Sequence, residues 1–186
     1  MLLALGKVYS RGVIYWLCNA YIEIIRGTPI LAQLFILYFG LPPYGIRLSA
    51  LSVAYIGFII NCAAYQAEYT RGSIESVGAD QMTAAYAIGM SKWQGILFIV
   101  LPQALRRAIP AWTNEFIYIL KYTSLAYIIG APELLTQAKV IASRNYQFFH
   151  MYLIAALIYL IMVLFFGFFF DLLEKWLKIP GLEYEH

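Results

Sequence analysis

The sequence predicts an all-α integral membrane protein, and three observations carry that prediction. Hydrophobic residues make up 62% of the 186 residues and charged residues 12%, about half the charged share of a soluble domain. Leu48 to Ala67 and Met151 to Phe170 are uncharged apolar runs, each long enough to cross ~30 Å of hydrocarbon as a helix. Between the apolar runs, basic residues collect mostly on one side. The length suits one domain, residues 1–186, and a formal net charge of +3 is too small to imply a nucleic-acid partner. Cys18 and Cys62 stand alone, without zinc or disulfide spacing. No G-x-x-x-x-G-K-[ST] phosphate loop occurs, so if ATP drives this molecule another chain binds it.

Residues 1–27 open with an apolar run too short to span, followed at once by Lys7 and Arg11. Val13 to Ile25 has apolar residues at helical spacing between Arg11 and Arg26. It reads as a cytoplasmic interfacial helix or, alternatively, a plain buried one. Thr28 to Gly45 is the first expected span. Pro29 is placed at its first helical position, Gln33 is the one polar side chain in its apolar run, and Pro42-Pro43 ends it before a turn at Tyr44 to Arg47. Leu48 to Ala67 is the second span, with Ser49 as a helix start and Asn61, Tyr65 and Gln66 inside it. Polar groups within a span are costly and face protein or a water-filled path. For Asn61 both an interhelical hydrogen bond and a place on a substrate path stay open. Glu68 and Arg71 pair at the membrane boundary, and Gly72 to Asp80 reads as a polar connector.

Thr83 to Pro102, TAAYAIGMSKWQGILFIVLP, interrupts the apolar pattern with Lys92, Trp93 and Gln94. Ala84, Ala85 and Ala87 favour helix and Gly89 does not. The stretch predicts two short helices with a turn at Gly89-Met90-Ser91. Ser91 caps the second helix and Pro102 blocks its continuation. It either docks to a partner or lies passively on lipid as an amphipathic helix. Ala111 to Gly130 is the third and most polar span, with Asn114, Glu115, Tyr118, Lys121, Thr123 and Ser124 inside it. Glu115 and Lys121 do not share a helical face. Intramembrane ionisable groups suggest a functional site. A structural ion pair of Glu115 with Arg106 or Arg107 is the alternative. Pro132 to His150 predicts a short amphipathic helix on the outer face, with His150 solvated and alone. Met151 to Phe170 is the fourth span and faces lipid. Asp171 to Lys178 forms a charged end, stopped by Pro180-Gly181.

Placing residues 83–102 in the cytoplasm puts Lys7, Arg11, Arg26, Arg71, Lys92, Arg106, Arg107, Lys175 and Lys178 inside. Arg47, Lys139 and Arg144 then fall outside and Lys121 within a span, a bias of nine to three in the sense of the positive-inside rule.

Residues 83–102 resemble the EAA loop of permease subunits of binding-protein-dependent ABC importers. Ala84-Ala85, Gly89, Ile99, Leu101 and Pro102 stand at that family's spacing, with Thr83 where its glutamate would be. Ile25 to Pro29 (IRGTP), Gln33 to Pro42, Gln103 to Pro110 and Lys121 to Leu135 are similar to the polar amino acid (His/Gln/Arg-type) permeases, so the resemblance covers nearly the whole chain. Tyr122 departs from the family, where aspartate often follows the lysine. The resemblance implies a type I ABC importer permease-like helical bundle with a cytoplasmic EAA-type coupling loop at 83–102. It also implies that most of a first helix is missing, and that the chain performs no covalent chemistry. Thr83, Ala84, Ala85, Gly89, Met90, Ser91 and Lys92 would dock an ATP-binding cassette subunit that binds the ATP. Asn61, Tyr65, Asn114, Glu115, Tyr118, Lys121, Thr123 and Ser124 are the candidates for the substrate pathway. The further implied partners are a second permease subunit, an extracytoplasmic solute-binding protein, a polar amino acid and the lipid of a prokaryotic plasma membrane. Three rivals remain: a permease for another small solute, an intramembrane enzyme and a structural membrane subunit. The enzyme would need clustered His, Asp, Ser or Glu groups. The structural subunit would have neither docking loop nor polar path.

Overall fold

The computed structural model describes residues 1–177. Among these, helices carry the chain and no strand occurs. The α-helices are α1 (Leu2–Tyr9), α2 (Val13–Gly27), α3 (Ile30–Gly40), α4 (Ala50–Ser76), α5 (Ala79–Ala87), α6 (Lys92–Gln94), α7 (Leu101–Tyr122), α8 (Leu134–Asn145) and α9 (Phe148–Leu177). A π-helical segment, Gly95–Val100, joins α6 to α7, and 3-10 turns cover Pro42–Tyr44 and Thr123–Ile129.

Among the described residues two helices, α4 with 27 residues and α9 with 30, are long and apolar enough to cross a membrane. The expected first span is a correction. Pro29 takes the N-cap position with φ −61° and ψ 134°, because its ring fixes φ while its extended ψ turns the chain. The helix therefore begins at Ile30 and runs only 11 residues, about 16 Å. The helical axis bends by 100° between α2 and the segment Ile30–Tyr44, and the two together have the length and apolarity of one broken span.

α4 extends past the expected end at Ala67. Ser49 Oγ accepts the Ser52 N–H at 3.1 Å and caps its start. At the other end Arg71 Nη2 meets Glu68 at 2.7 Å and Arg71 Nη1 meets Glu75, pairs at i,i+3 and i,i+4. Buried Ile74 and Val77 add an apolar anchor. The stretch read as a polar connector is therefore mostly helix, and Val77-Gly78 is all that separates α4 from α5.

Pro102 does not end a helix. The chain passes helically from α6 through the π-helical segment into α7, with Pro102 in its first turn. Proline lacks the N–H that the preceding turn would use and crowds the carbonyl four residues back. The wider π turn immediately before it opens that space. The expected start of the third span at Ala111 is corrected likewise, since α7 begins ten residues earlier and ends at Tyr122. His150 belongs to α9, because the chain breaks after α8 at Tyr146, whose φ is +59°. The charged stretch from Asp171 continues α9 to Leu177. Lys178 and the stop expected at Pro180-Gly181 lie outside the described residues.

α4 packs along α7 at the centre, with α2 and α3 on one side and α9 against α7 and α8. Small residues on α4 allow close approach: a Cβ on Gly57 would lie 2.6 Å from Leu34 Cδ2 of α3. Leu34, Val53, Ala54, Ala126, Ile129 and Ala131 form one buried cluster at that end. Ile74, Val77, Val100 and Ala104 form another at the opposite end, covered by α1 and Met82. On α9 Ala155 is buried, while Leu157, Ile161, Leu164, Phe165 and Phe168 are exposed. A helix apolar all round and uncovered by its own chain fits hydrocarbon.

Candidate functional site

Two features stand apart from packing. The first is the hairpin of α5 and α6. α5 ends in a Schellman motif: Gly89 N–H donates to Tyr86 O and Met90 N–H to Ala85 O, both at 3.0 Å. The motif requires a left-handed residue, and Gly89 has φ +83°. Two residues on, Ser91 and Gln94 form a reciprocal capping box, with Gln94 Oε1 accepting the Ser91 N–H at 2.8 Å. The turn at Gly89-Met90-Ser91 is thus fixed by two successive hydrogen-bonded caps. Ala85 is buried against Gly95, where an added Cβ would lie 3.4 Å from Ala85 Cβ and 3.0 Å from Met82 Sδ. Glycine suits this close approach of α5, since a Cβ here would push on Met82 and Ala85, and Gly95 was not singled out in the sequence. Ala84 and Lys92 are exposed. Thr83, also exposed, donates its hydroxyl to Ala79 O at 3.2 Å and forms no ion pair. The outer surface is apolar: Tyr86, Ile88, Trp93 and Phe98 are all more than half exposed.

The second feature is a cavity of about 550 Å³ between α2, α3, α4 and α7. Arg26, Gly27, Thr28, Pro29, Ile30 and Leu31 line it from the bend. Asn61, Tyr65 and Tyr69 line it from α4, and Glu115, Tyr118 and Tyr122 from α7, with Leu125 beyond. The bend is held by Gln33, whose Nε2 donates to Ile25 O at 2.8 Å, Thr28 O at 3.1 Å and Thr28 Oγ1 at 2.9 Å. Asn61 Nδ2 donates to Gln33 Oε1 at 3.2 Å, so Asn61 is both an interhelical bond and a wall residue. Because α3 starts at the bend, its first residues open on the cavity, where a helix start carries partial positive charge. Arg26 adds a full one. Its guanidinium lies 5.3 Å from the Tyr65 ring centroid and 3.6 Å from Glu68, and its buried Nε has no hydrogen-bond partner. Glu68 is shared with Lys7 at 3.1 Å and Arg71 at 2.7 Å. On the opposite wall Glu115 is 4% exposed and accepts the Tyr69 hydroxyl at 3.1 Å.

Of the pathway candidates, the structure brings Asn61, Tyr65, Glu115 and Tyr118 into this cavity. Asn114, Lys121, Thr123 and Ser124 are not on its wall. Asn114 and Lys121 are exposed, and the Lys121 ammonium lies 4.6 Å from the Tyr118 ring centroid. Thr123 and Ser124 donate back to Leu120 O and Lys121 O at 2.8 and 2.7 Å, as hydroxyls in helical turns do. The alternative ion pair of Glu115 with Arg106 or Arg107 is not formed; Arg107 instead donates to Ser76 O and Oγ and ties α7 to α4. Arg26, Tyr69 and Tyr122 were missed. The signal for Arg26 was the Gly27-Thr28-Pro29 interruption between two short apolar segments, the mark of a discontinuous helix at a binding site.

The structure thus joins a doubly capped hairpin by helix to a largely aromatic cavity that holds one cation and one anion on its wall. The chain matches the binding-protein-dependent transport system inner membrane component family over residues 1–179. It belongs to that family. It is therefore a membrane transport component, with the type I importer permease fold. This permease is 42% identical over 175 residues to the probable amino-acid ABC transporter permease protein YckA of Bacillus subtilis, covering 94% of this chain and 77% of that one. It is 37% identical over 170 residues to the glutamine transport system permease protein GlnP of Escherichia coli, with 88% and 78% covered. The crystal structure of an amino acid ABC transporter with histidines superposes on the permease with a TM-score of 0.89 and 38% identity, over 93% of this chain and 81% of that one.

Proposed function

We propose that this chain is the permease subunit of an ATP-driven importer of polar amino acids, working by alternating access with a second copy or a similar subunit. The observation that carries this reading is a single continuous helical run, with Pro110 inside it. From Lys92 through the π-helical segment to Tyr122 the backbone stays helical. The capped hairpin and the wall bearing Glu115, Tyr118 and Tyr122 are two ends of one element. α7 alone has 22 residues, about 33 Å.

In this reading an ATP-binding cassette subunit holds the ATP. It docks on the hairpin through Thr83, Ala84, Gly89, Met90, Ser91 and Lys92 and the apolar surface of Tyr86, Ile88 and Trp93, while Ala85, expected among these contacts, is buried against Gly95. Closure of the ATPase dimer moves the hairpin, and α7 transmits the movement to the cavity. An amino acid enters with its carboxylate toward Arg26 and the start of α3, and its ammonium toward Glu115. That placement gives the buried Glu115 carboxylate a cationic partner, which is the condition for holding it out of water, beside an Arg26 that also pairs with Glu68. A solute-binding protein delivers the substrate at the face opposite the hairpin. The chain crosses a prokaryotic plasma membrane several times, with its basic residues mostly in the cytoplasm. Rocking between two states needs a differential affinity of a few kcal/mol at the docking surface.

The test is capture of the cognate ATP-binding subunit by the purified chain in detergent, wild type against Gly89→Pro. Proline cannot take φ +83°, so the Schellman motif is lost. The wild type is expected to retain the ATPase and the variant to lose it. Equal recovery by both would overturn the docking role.

A further inference from the structure

We infer that the cavity selects amino acids of zero net charge, and that Tyr122 is the residue that sets this selectivity. The inference rests on the proposed transport of amino acids through this cavity and narrows its substrate class. Among the described residues lining the cavity, two carry charge: Arg26 and Glu115. They lie on different walls, one cation and one anion. An amino acid's own main chain carries one carboxylate and one ammonium, so its zwitterion brings a partner for each wall charge, Arg26 having Glu68 at 3.6 Å as its partner within the chain. Nothing ionised remains on the wall for a charged side chain.

The remaining wall is aromatic. Tyr118 and Tyr122 stack with ring centroids 6.3 Å apart and planes 25° from parallel, with Leu125 beside them. This surface offers ring faces and phenol hydroxyls. It can pack and hydrogen-bond an amide, hydroxyl, thioether or aromatic side chain. A carboxylate or guanidinium held there would lack a counter-charge, which is costly away from water. Glutamine is expected to bind more tightly than either glutamate or arginine.

The test is equilibrium binding of radiolabelled L-glutamine to the full chain in detergent, with unlabelled L-glutamate and L-arginine as competitors. Glutamate and arginine are each expected to bind roughly tenfold weaker than glutamine. Arginine or glutamate binding as tightly as glutamine would overturn the charge rule. Tyr122→Asp supplies the missing anion at a position 41% exposed, so the fold tolerates it. It should strengthen arginine binding by about tenfold, while Tyr122→Phe keeps the wild-type order. Unchanged arginine binding in Tyr122→Asp would overturn the role of Tyr122. If none of the three amino acids binds while the ATPase is still captured in a Gly89-dependent way, the cavity is not the substrate site. The inference then falls and the permease reading stands.

Discussion

Glu115 is held where its charge is a burden to the fold. It is 4% exposed, and a single hydroxyl, that of Tyr69, donates to it. A carboxylate so placed loses its hydration for one hydrogen bond. Glu115→Gln keeps the shape and an acceptor for Tyr69 and removes the charge. If the carboxylate serves a substrate ammonium, this variant should bind glutamine about ten- to a hundredfold more weakly, the loss of one charge-assisted hydrogen bond. Its thermal unfolding midpoint in detergent should stay level or rise. A lower midpoint would mean that Glu115 is structural. Glu68 behaves in the opposite way. Lys7, Arg26 and Arg71 all converge on it from three helices, and it sits at 15% side-chain exposure. Glu68→Gln leaves three cations without their common partner. It should lower stability by roughly 1–3 kcal/mol, read as a lower unfolding midpoint; an unchanged midpoint would sink the view that this cluster staples α1 and α2 to α4. Glu115 was legible in the sequence because an acid stands out in an apolar run. Arg26 was not, because an arginine at a helix end reads as an anchor. Its place on the cavity depends on a 100° bend, whose local mark, the Gly27-Thr28-Pro29 interruption, reads equally well as an ordinary helix start. Tyr69 was missed because it lies beyond the expected end of a span, in the part of α4 that the Arg71 pairs extend.

At the scale of the element, the hairpin shows which local rules survive in a fold and which yield. Gly89 and Ser91 were readable because cap chemistry is local: a left-handed C′ residue, then a side-chain oxygen offered to the next helix. Pro102 was misread because proline as a helix stop assumes α geometry before it, and the preceding turns are π-helical. Gly95 was invisible because its role is contact between two helices, a property of tertiary packing. Gly95→Val would place branched carbon against Met82 and Ala85, at distances of 3.0 and 3.4 Å even for Cβ alone. Overpacking of this kind costs about 1–3 kcal/mol. The hairpin is expected to open without loss of the rest of the fold. ATPase capture should therefore fall while glutamine binding persists, and loss of both together would argue that the hairpin and the cavity fold as one unit.

At the scale of the molecule, the proposed coupling makes the helical run from Lys92 to Tyr122, with Pro110 inside it, a lever. Its stiffness is set by its backbone, and two substitutions between the ends probe it. Ala108 is buried and Ala111 partly so. Glycine at both lowers helix propensity by about 1 kcal/mol each and touches neither the hairpin nor the cavity wall. ATPase capture and glutamine binding, each measured alone, should remain near wild type. Substrate-stimulated ATP hydrolysis in the reconstituted complex should fall severalfold, because a softened rod absorbs movement that a stiff one transmits. Retained stimulation at wild-type level would show that the two ends communicate by another route. Arg107 names that route in advance, since its bonds to Ser76 join α7 to the end of α4, which carries Tyr65 and Tyr69 to the other side of the cavity. Adding Arg107→Ala to the glycine pair separates the cases: a further loss assigns the coupling to α4 and α7 together, and no further loss confines it to α7.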